Sequence, residues 1–305
     1  MPEKYVKVVE TKDGVKIETD SYEAMVAPKS KYRSGVAGGT FLDKRTGARD
    51  LGFGLNVTDH PCIVPASKEW GSPPPDPMLY GKKRNHQVVE TPQLCCTRDI
   101  QLDYEVKQEK RFMLVHQWFT FKKGNKPGCK WDEWLLFPSG KRYFFALNKL
   151  TAAHAYSKLF LTGDWPGHIK GKNYENVYLS YHGVIPKSEF SEDFPPETKF
   201  FYEKNSDRIP KRMIRAYQIT VNGKPGPWLA GMTIDPSMMY QGWCNMRGYV
   251  CLIGFLGAFD VNPGDSFSNV NLIGFFDSID EMNRVYDIYK RSTNSFNVND
   301  LVNLI

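Results

Sequence analysis

The sequence predicts an all-β, mostly antiparallel fold closed by one C-terminal helix, and three observations carry that expectation. Short runs of β-formers recur between Gly, Pro and Asn along most of the chain. Two dipeptides, Asp13-Gly14 and Asn222-Gly223, supply the positive φ angles of tight hairpins. Aromatic residues make up 14% of the 305 residues, as suits side chains packed between sheets. A chain of this length and apolar content supports one large core or two ordinary ones, and a single domain over 1–305 is expected.

The elements follow in order. Lys7–Glu10 and Val15–Glu18 flank the first turn as a hairpin. Gly35 to Gly47 carries glycines that could cradle phosphate, but no Gly-Lys-Ser/Thr follows, so two strands around a turn at 44–47 are expected. Six prolines between Asp59 and Arg84 break any ladder and predict a long loop over a binding face. Strands are expected at Phe112–Phe121, Trp134–Phe137, Arg142–Leu150, Leu159–Thr162 and Val177–His182. Arg215–Val221 and Trp228–Ile234 flank Asn222-Gly223, and Tyr249–Phe259 and Phe267–Phe276 flank 262–265. Ser278-Ile-Asp-Glu281 reads as a capping box, and Ile279, Met282, Val285, Tyr286 and Tyr289 recur at helical spacing, so a helix is expected over 278–291.

Composition limits the function classes. A net charge of +6 is spread along the chain, without the dense basic face of a nucleic-acid binder. It suits an acidic small molecule or sugar, and equally an ordinary solvated surface. Six cysteines (Cys62, Cys95, Cys96, Cys129, Cys244, Cys251) show no C-x-x-C spacing, which speaks against a zinc site, and disulfides among them stay open. No apolar run reaches membrane length, so no membrane partner is expected, and no metal or other cofactor. The sequence opens without a signal-peptide pattern, which leaves a cytoplasmic protein or a secreted or periplasmic one whose signal was removed.

Two segments carry a family resemblance. Gly38-Gly-Thr-Phe-Leu-Asp43-Lys44-Arg-Thr-Gly47 resembles an early strand, turn and return strand of galactose-mutarotase-like proteins, and Arg247 to Phe267 resembles the closing strands of the same β-supersandwich. The resemblance implies carbohydrate chemistry: epimerases, lyases and hydrolases share the fold. Epimerases of this type pair a His acid with a late Glu base, whereas the corresponding segment here, Gly254 to Asp260, has no Glu.

Candidate chemistry follows from residue type. His182 and Tyr181 end a strand, and His168 sits in the Trp165-Pro-Gly-His168-Ile-Lys170 loop; imidazole and phenol are the natural proton carriers. Glu133, in Trp131-Asp-Glu133-Trp134, gains a raised pKa if the neighbouring rings bury it, although a surface turn explains the same four residues. Arg142, Arg247, Lys170 and Lys83 offer cations for a sugar carboxylate, and Trp243 and Trp165 offer stacking faces. Each has a plain structural alternative: a solvated turn or a packed ring. On this inventory the leading expectation is a lyase performing β-elimination on a uronic-acid glycan, with His182, Tyr181, His168 and Glu133 as catalytic candidates. A glycoside hydrolase, an aldose epimerase and a non-catalytic sugar-binding protein are the alternatives. The deciding question is which of His86, His116, His168 and His182 line one surface.

Overall fold

The computed structural model describes residues 5–28, 34–65, 86–88, 94, 101–123, 126–195, 198–204, 209–291 and 295–305. Two large antiparallel sheets dominate. The first has nine strands in the spatial order β10 (Asp103–Gln108), β11 (Phe112–Lys123), β12 (Lys126–Pro138), β13 (Tyr143–Thr151), β22 (Ser266–Phe276), β19 (Lys224–Thr233), β18 (Ile214–Val221), β15 (Tyr174–Leu179) and β16 (Gly183–Pro186). The second runs β17 (Tyr202–Glu203), β20 (Met239–Met246), β21 (Val250–Val261), β14 (Tyr156–Asp164), β8 (Ile63–Pro65) and β9 (His86–Val88), with β7 (Val57–Thr58) also pairing β14. A small N-terminal sheet orders β1 (Val6–Thr11), β2 (Gly14–Thr19), β3 (Tyr22–Val26) and β5 (Leu42–Asp43), and β4 (Val36–Ala37) pairs β6 (Gly54–Leu55).

Strand alternation sets two faces on each large sheet. The inner faces meet in two apolar clusters. One holds Val115, Leu135, Leu229 and Tyr217 against Val250, Leu252 and the N-terminal sheet. The other holds Trp131, Leu150 and Phe267 against Leu159, Leu161 and Leu256. A belt of buried polar side chains crosses the nine-stranded sheet between them. Gln117 is aligned with Glu133, Glu133 with Asn148, and Asn148 with Asn269; Asn271 is aligned with Thr233. Asn271 donates to Asn56 Oδ1 at 2.9 Å, and Asn56 in turn donates to Glu133 Oε1 at 2.6 Å.

The outer face of the nine-stranded sheet is covered by α1 (Ile279–Tyr289) and α2 (Val298–Val302), whose Met282, Tyr286 and Leu301 pack on Leu136, Phe145, Ala216 and Leu272. Ser278 caps α1 by accepting from Glu281 N at 3.1 Å. The return bond differs from a reciprocal box, since Glu281 Oε2 accepts from Asp277 N rather than from Ser278 N. The five-residue α2 lies beyond the single helix expected from the sequence.

Most expected strands are present, and the Asn222-Gly223 turn has both φ angles positive, at 51° and 74°. Three departures have physical reasons. The 131–134 stretch is mid-strand in β12 rather than a turn, with Trp131 and Glu133 turned inward. β15 stops at Leu179, where His182 N–H closes a turn onto Leu179 O. Within the proline-rich stretch, Ile63–Pro65 pairs as β8, while 66–84 lie outside the described residues. Cys62, Cys129, Cys244 and Cys251 are all buried.

Candidate functional site

The outer face of the seven-stranded sheet brings titratable, amide and aromatic side chains together. Asp164 of β14, Ile253 of β21 and Trp243 of β20 are in register across three strands. The next aligned pair is Cys251 and Asn245. Around them lie Phe160, Phe255 and Tyr240, with Phe160 stacked on Tyr240 at 5.1 Å and Trp243 tilted on Phe255 at 4.7 Å.

After Asp164 the chain turns through Trp165, cis-Pro166 and Gly167 and rejoins the sheet edge. Ile169 and Val250 exchange backbone hydrogen bonds of 2.8 and 3.0 Å there. The turn is pressed against β6, and a Cβ on Gly167 would stand 2.0 Å from Gly54 O at a φ of +156°. Only glycine fits this approach. The turn delivers His168 back over Asp164, with Nδ1 3.2 Å from Oδ1.

Phe53 and Tyr249 flank the imidazole, their ring centroids 5.6 and 5.1 Å away. Burial works against protonating His168, but the Asp164 carboxylate outweighs it, and Cys251 adds a hydrogen bond in the same direction. His168 is therefore held well above the ordinary imidazole range and is a cation at neutral pH. Burial raises the Cys251 thiol, so it stays protonated. Asp164 is nearly enclosed, with 5% of its side chain exposed, whereas 19% of the His168 side chain meets solvent. Asn245 is fully buried and neither its amide oxygen nor its amide nitrogen has a partner, leaving a donor and an acceptor beside the pair.

Of the residues singled out in the sequence, this face gathers His168 and Trp243. Lys170 follows on the exposed rim, its Nζ 5.2 Å from the Phe53 ring centroid, and Arg247 stands two residues before Tyr249. Trp165 and Tyr181 point to the opposite, inter-sheet side. His182 lies apart in the β15–β16 turn against Phe200, with centroids 4.9 Å apart. His116 is elsewhere again, on the outer face of the nine-stranded sheet, stacked on Trp134 and bonded to Glu105 and Asp132. These three histidines share no surface. Lys83 and the His86 side chain lie outside the described residues.

Two more candidates are committed to structure. Arg142 bonds Asp43 through Nε and Nη2 at 3.1 and 2.6 Å, and Asp277 through Nη1 at 2.8 Å. Glu133 is fully buried in the polar belt, where it accepts from Gly35 N, Asn56 Nδ2 and Gln117 Nε2. Its carboxyl is pushed up to about 7 by burial, which outweighs those three donors. Asp260 sits on the exposed side of β21, bonded to Ser157 and Lys158 N, and does not converge with Glu133. No group of three or more metal-ligating side chains occurs among the described residues. Sequence reading passed over Asp164, Cys251 and Asn245. The Asp-x-x-x-His spacing of 164 and 168 was the available signal for the first.

No protein-family model and no curated relative matches the sequence. Solved structures do match. A candidate aldose 1-epimerase from Klebsiella pneumoniae subsp. pneumoniae is 11% identical, with 95% of this chain and 88% of that one covered at a TM-score of 0.51. The fold is a galactose-mutarotase-like β-supersandwich. A galactose 1-epimerase from Lactobacillus acidophilus covers 90% of this chain and 99% of its own at 9% identity and a TM-score of 0.49. A polysaccharide lyase aligns over 96% of this chain but 35% of its own, at 12% identity and a TM-score of 0.29. At such identities the likeness defines architecture alone, and the chemistry must come from the site.

Proposed function

We propose that the chain is a carbohydrate-active protein working at the anomeric centre of an aldose, in the manner of a 1-epimerase. The observation that carries this reading is the Asp164–His168 pair, which holds a protonated imidazole at the solvent-reaching edge of an aromatic and amide-bearing face. Ring opening of a pyranose needs a proton delivered to the ring oxygen and one withdrawn from the anomeric hydroxyl. His168 is poised for the delivery. Asn245 suits the sugar hydroxyls, having both donor and acceptor to offer.

A lyase has less support. Elimination across a uronic acid asks for a neutral base, but His168 already carries its proton, and Arg142 is bound to two aspartates. The test is anomer exchange, followed by polarimetry and NMR over a panel of aldoses. Parallel ultraviolet assays for unsaturated products use uronic-acid glycans. His168→Asn should slow exchange by about 10²- to 10⁴-fold, the usual worth of a positioned acid. Asp164→Asn should move the alkaline limb of the pH profile to lower pH, since the carboxylate is what raises the imidazole. Unaccelerated exchange for every aldose, or an H168N variant as fast as the parent, would sink the proposal.

A further inference from the structure

Behind the Asp164–His168 face, between the two sheets, three glycines stand side by side. Gly242 of β20 is aligned with Gly254 of β21, and Gly254 with Gly163 of β14. Their missing side chains make room for specific neighbours. A Cβ on Gly254 would lie 2.3 Å from the Trp165 ring and 3.0 Å from Arg215 Nη2. On Gly163 it would lie 2.9 Å from the same indole, and on Gly242 3.2 Å from Tyr181 Oη. The glycine row is thus the surface on which an indole, a guanidinium and a phenol pack.

Arg215 is 1% exposed. Its Nη1 donates to Leu252 O at 2.9 Å, and its Cζ lies 5.5 Å from the Trp165 ring centroid. Among the described residues no carboxylate forms an ion pair with it; Asp164 is turned to His168 on the other side of the sheet. Arg215 Nη2, Tyr181 Oη and Tyr202 Oη are all buried without a hydrogen-bond partner. The two phenol rings are 5.3 Å apart. Burial pushes the Tyr202 hydroxyl up to about 12 and Tyr181 higher still, so both keep their protons and can donate.

A cation taken out of water needs a counter-charge, and buried donors need an acceptor. Every unmet group here is a donor. Nη2 stands over Gly254 and the Tyr181 Oη over Gly242, aligned positions on neighbouring strands about 5 Å apart. We propose that Arg215, Tyr181 and Tyr202 form an internal site for a small monovalent inorganic anion of the halide class. The site neutralises the buried guanidinium and thereby fixes Trp165, the first residue of the turn that carries His168. It stands independently of the sugar chemistry.

The full chain is tested with sodium bromide against sodium gluconate at constant ionic strength, by thermal unfolding and by anomalous diffraction from bromide-grown crystals. The expected result is a saturable rise of Tm in bromide alone, with an anomalous peak at hydrogen-bond distance from Arg215 Nη2 and Tyr181 Oη. Arg215→Met should abolish the rise. Because loss of a buried guanidinium also disturbs folding, Tyr181→Phe and the Y181F/Y202F pair carry the same test, each reducing the bromide response. Equal Tm in the two salts, no peak between the two groups, or an undiminished response in Y181F/Y202F would overturn the site.

Discussion

Glu133 is ringed by three donors and no cation, and those donors favour its charged form while complete burial opposes it. Burial wins, leaving the carboxyl titrating near 7 in the folded chain against 4.5 for the unperturbed group. Below about pH 4.5 both folded and unfolded states hold the proton, so the group costs nothing. Between these values the unfolded chain releases a proton that the folded chain keeps, and stability falls as pH rises. Above about 7 the loss is complete, at most about 3 kcal/mol for a shift of this size. Urea titrations from pH 5 to 8 should therefore show a downward slope in the parent that is shallower in Glu133→Gln, the remainder below about pH 6 coming from Asp50, whose carboxyl burial pushes up to about 6. The variant has its own constant offset, because an amide accepts through one atom rather than two. The raised pKa was legible in the flanking tryptophans, but the place was not. Nothing in Trp131-Asp-Glu-Trp134 says which alternate residues face inward until β12 is paired with β11 and β13. Arg142 teaches the same lesson in reverse, since its partners Asp43 and Asp277 are about 100 and 135 residues away along the chain.

Elements with local signals were read well from the sequence. The cap of α1 depends on Ser278 and the first turn, which are neighbours in sequence, and so does the Asn222-Gly223 hairpin. Ser278→Ala removes the acceptor for Glu281 N and should lower stability by about 1 kcal/mol, read as a shift in denaturant midpoint at unchanged slope. β20 was missed because its Met, Gly, Gln and Asn content hides the β pattern, though it brings Trp243 and Asn245 to the candidate face. β10, with every other residue exposed and charged or polar, gave as little signal at the edge of its sheet. The Asp164–His168 turn carried a local signal in its Asp-x-x-x-His spacing, but the face it joins also needed β20 and β21, so Asn245 and Cys251 could not be picked out in advance.

At the scale of the whole molecule, the fold class was legible and the strand order was not. β13 lies beside β22 and β14 beside β21, pairings that no local pattern announces. The helical layer matters here because it seals the outer face of the nine-stranded sheet, where Leu136, Phe145, Leu147 and Leu272 would otherwise meet water. A chain ending at Asp277 should bind a hydrophobic dye or aggregate at temperatures where the full chain does neither. The polar belt has a further consequence for how such a sheet finds its alignment. Sliding β12 by two residues along β11 would keep every side chain on its proper face, so apolar contacts alone barely penalise the error. Glu133, however, would then stand opposite Val115 or Phe119 instead of Gln117, away from the donors that surround it. A carboxyl stranded in an apolar interior is costly. The belt therefore acts as a key cut into an otherwise greasy lock: it weakens the core slightly, and it lets one alignment of the strands turn.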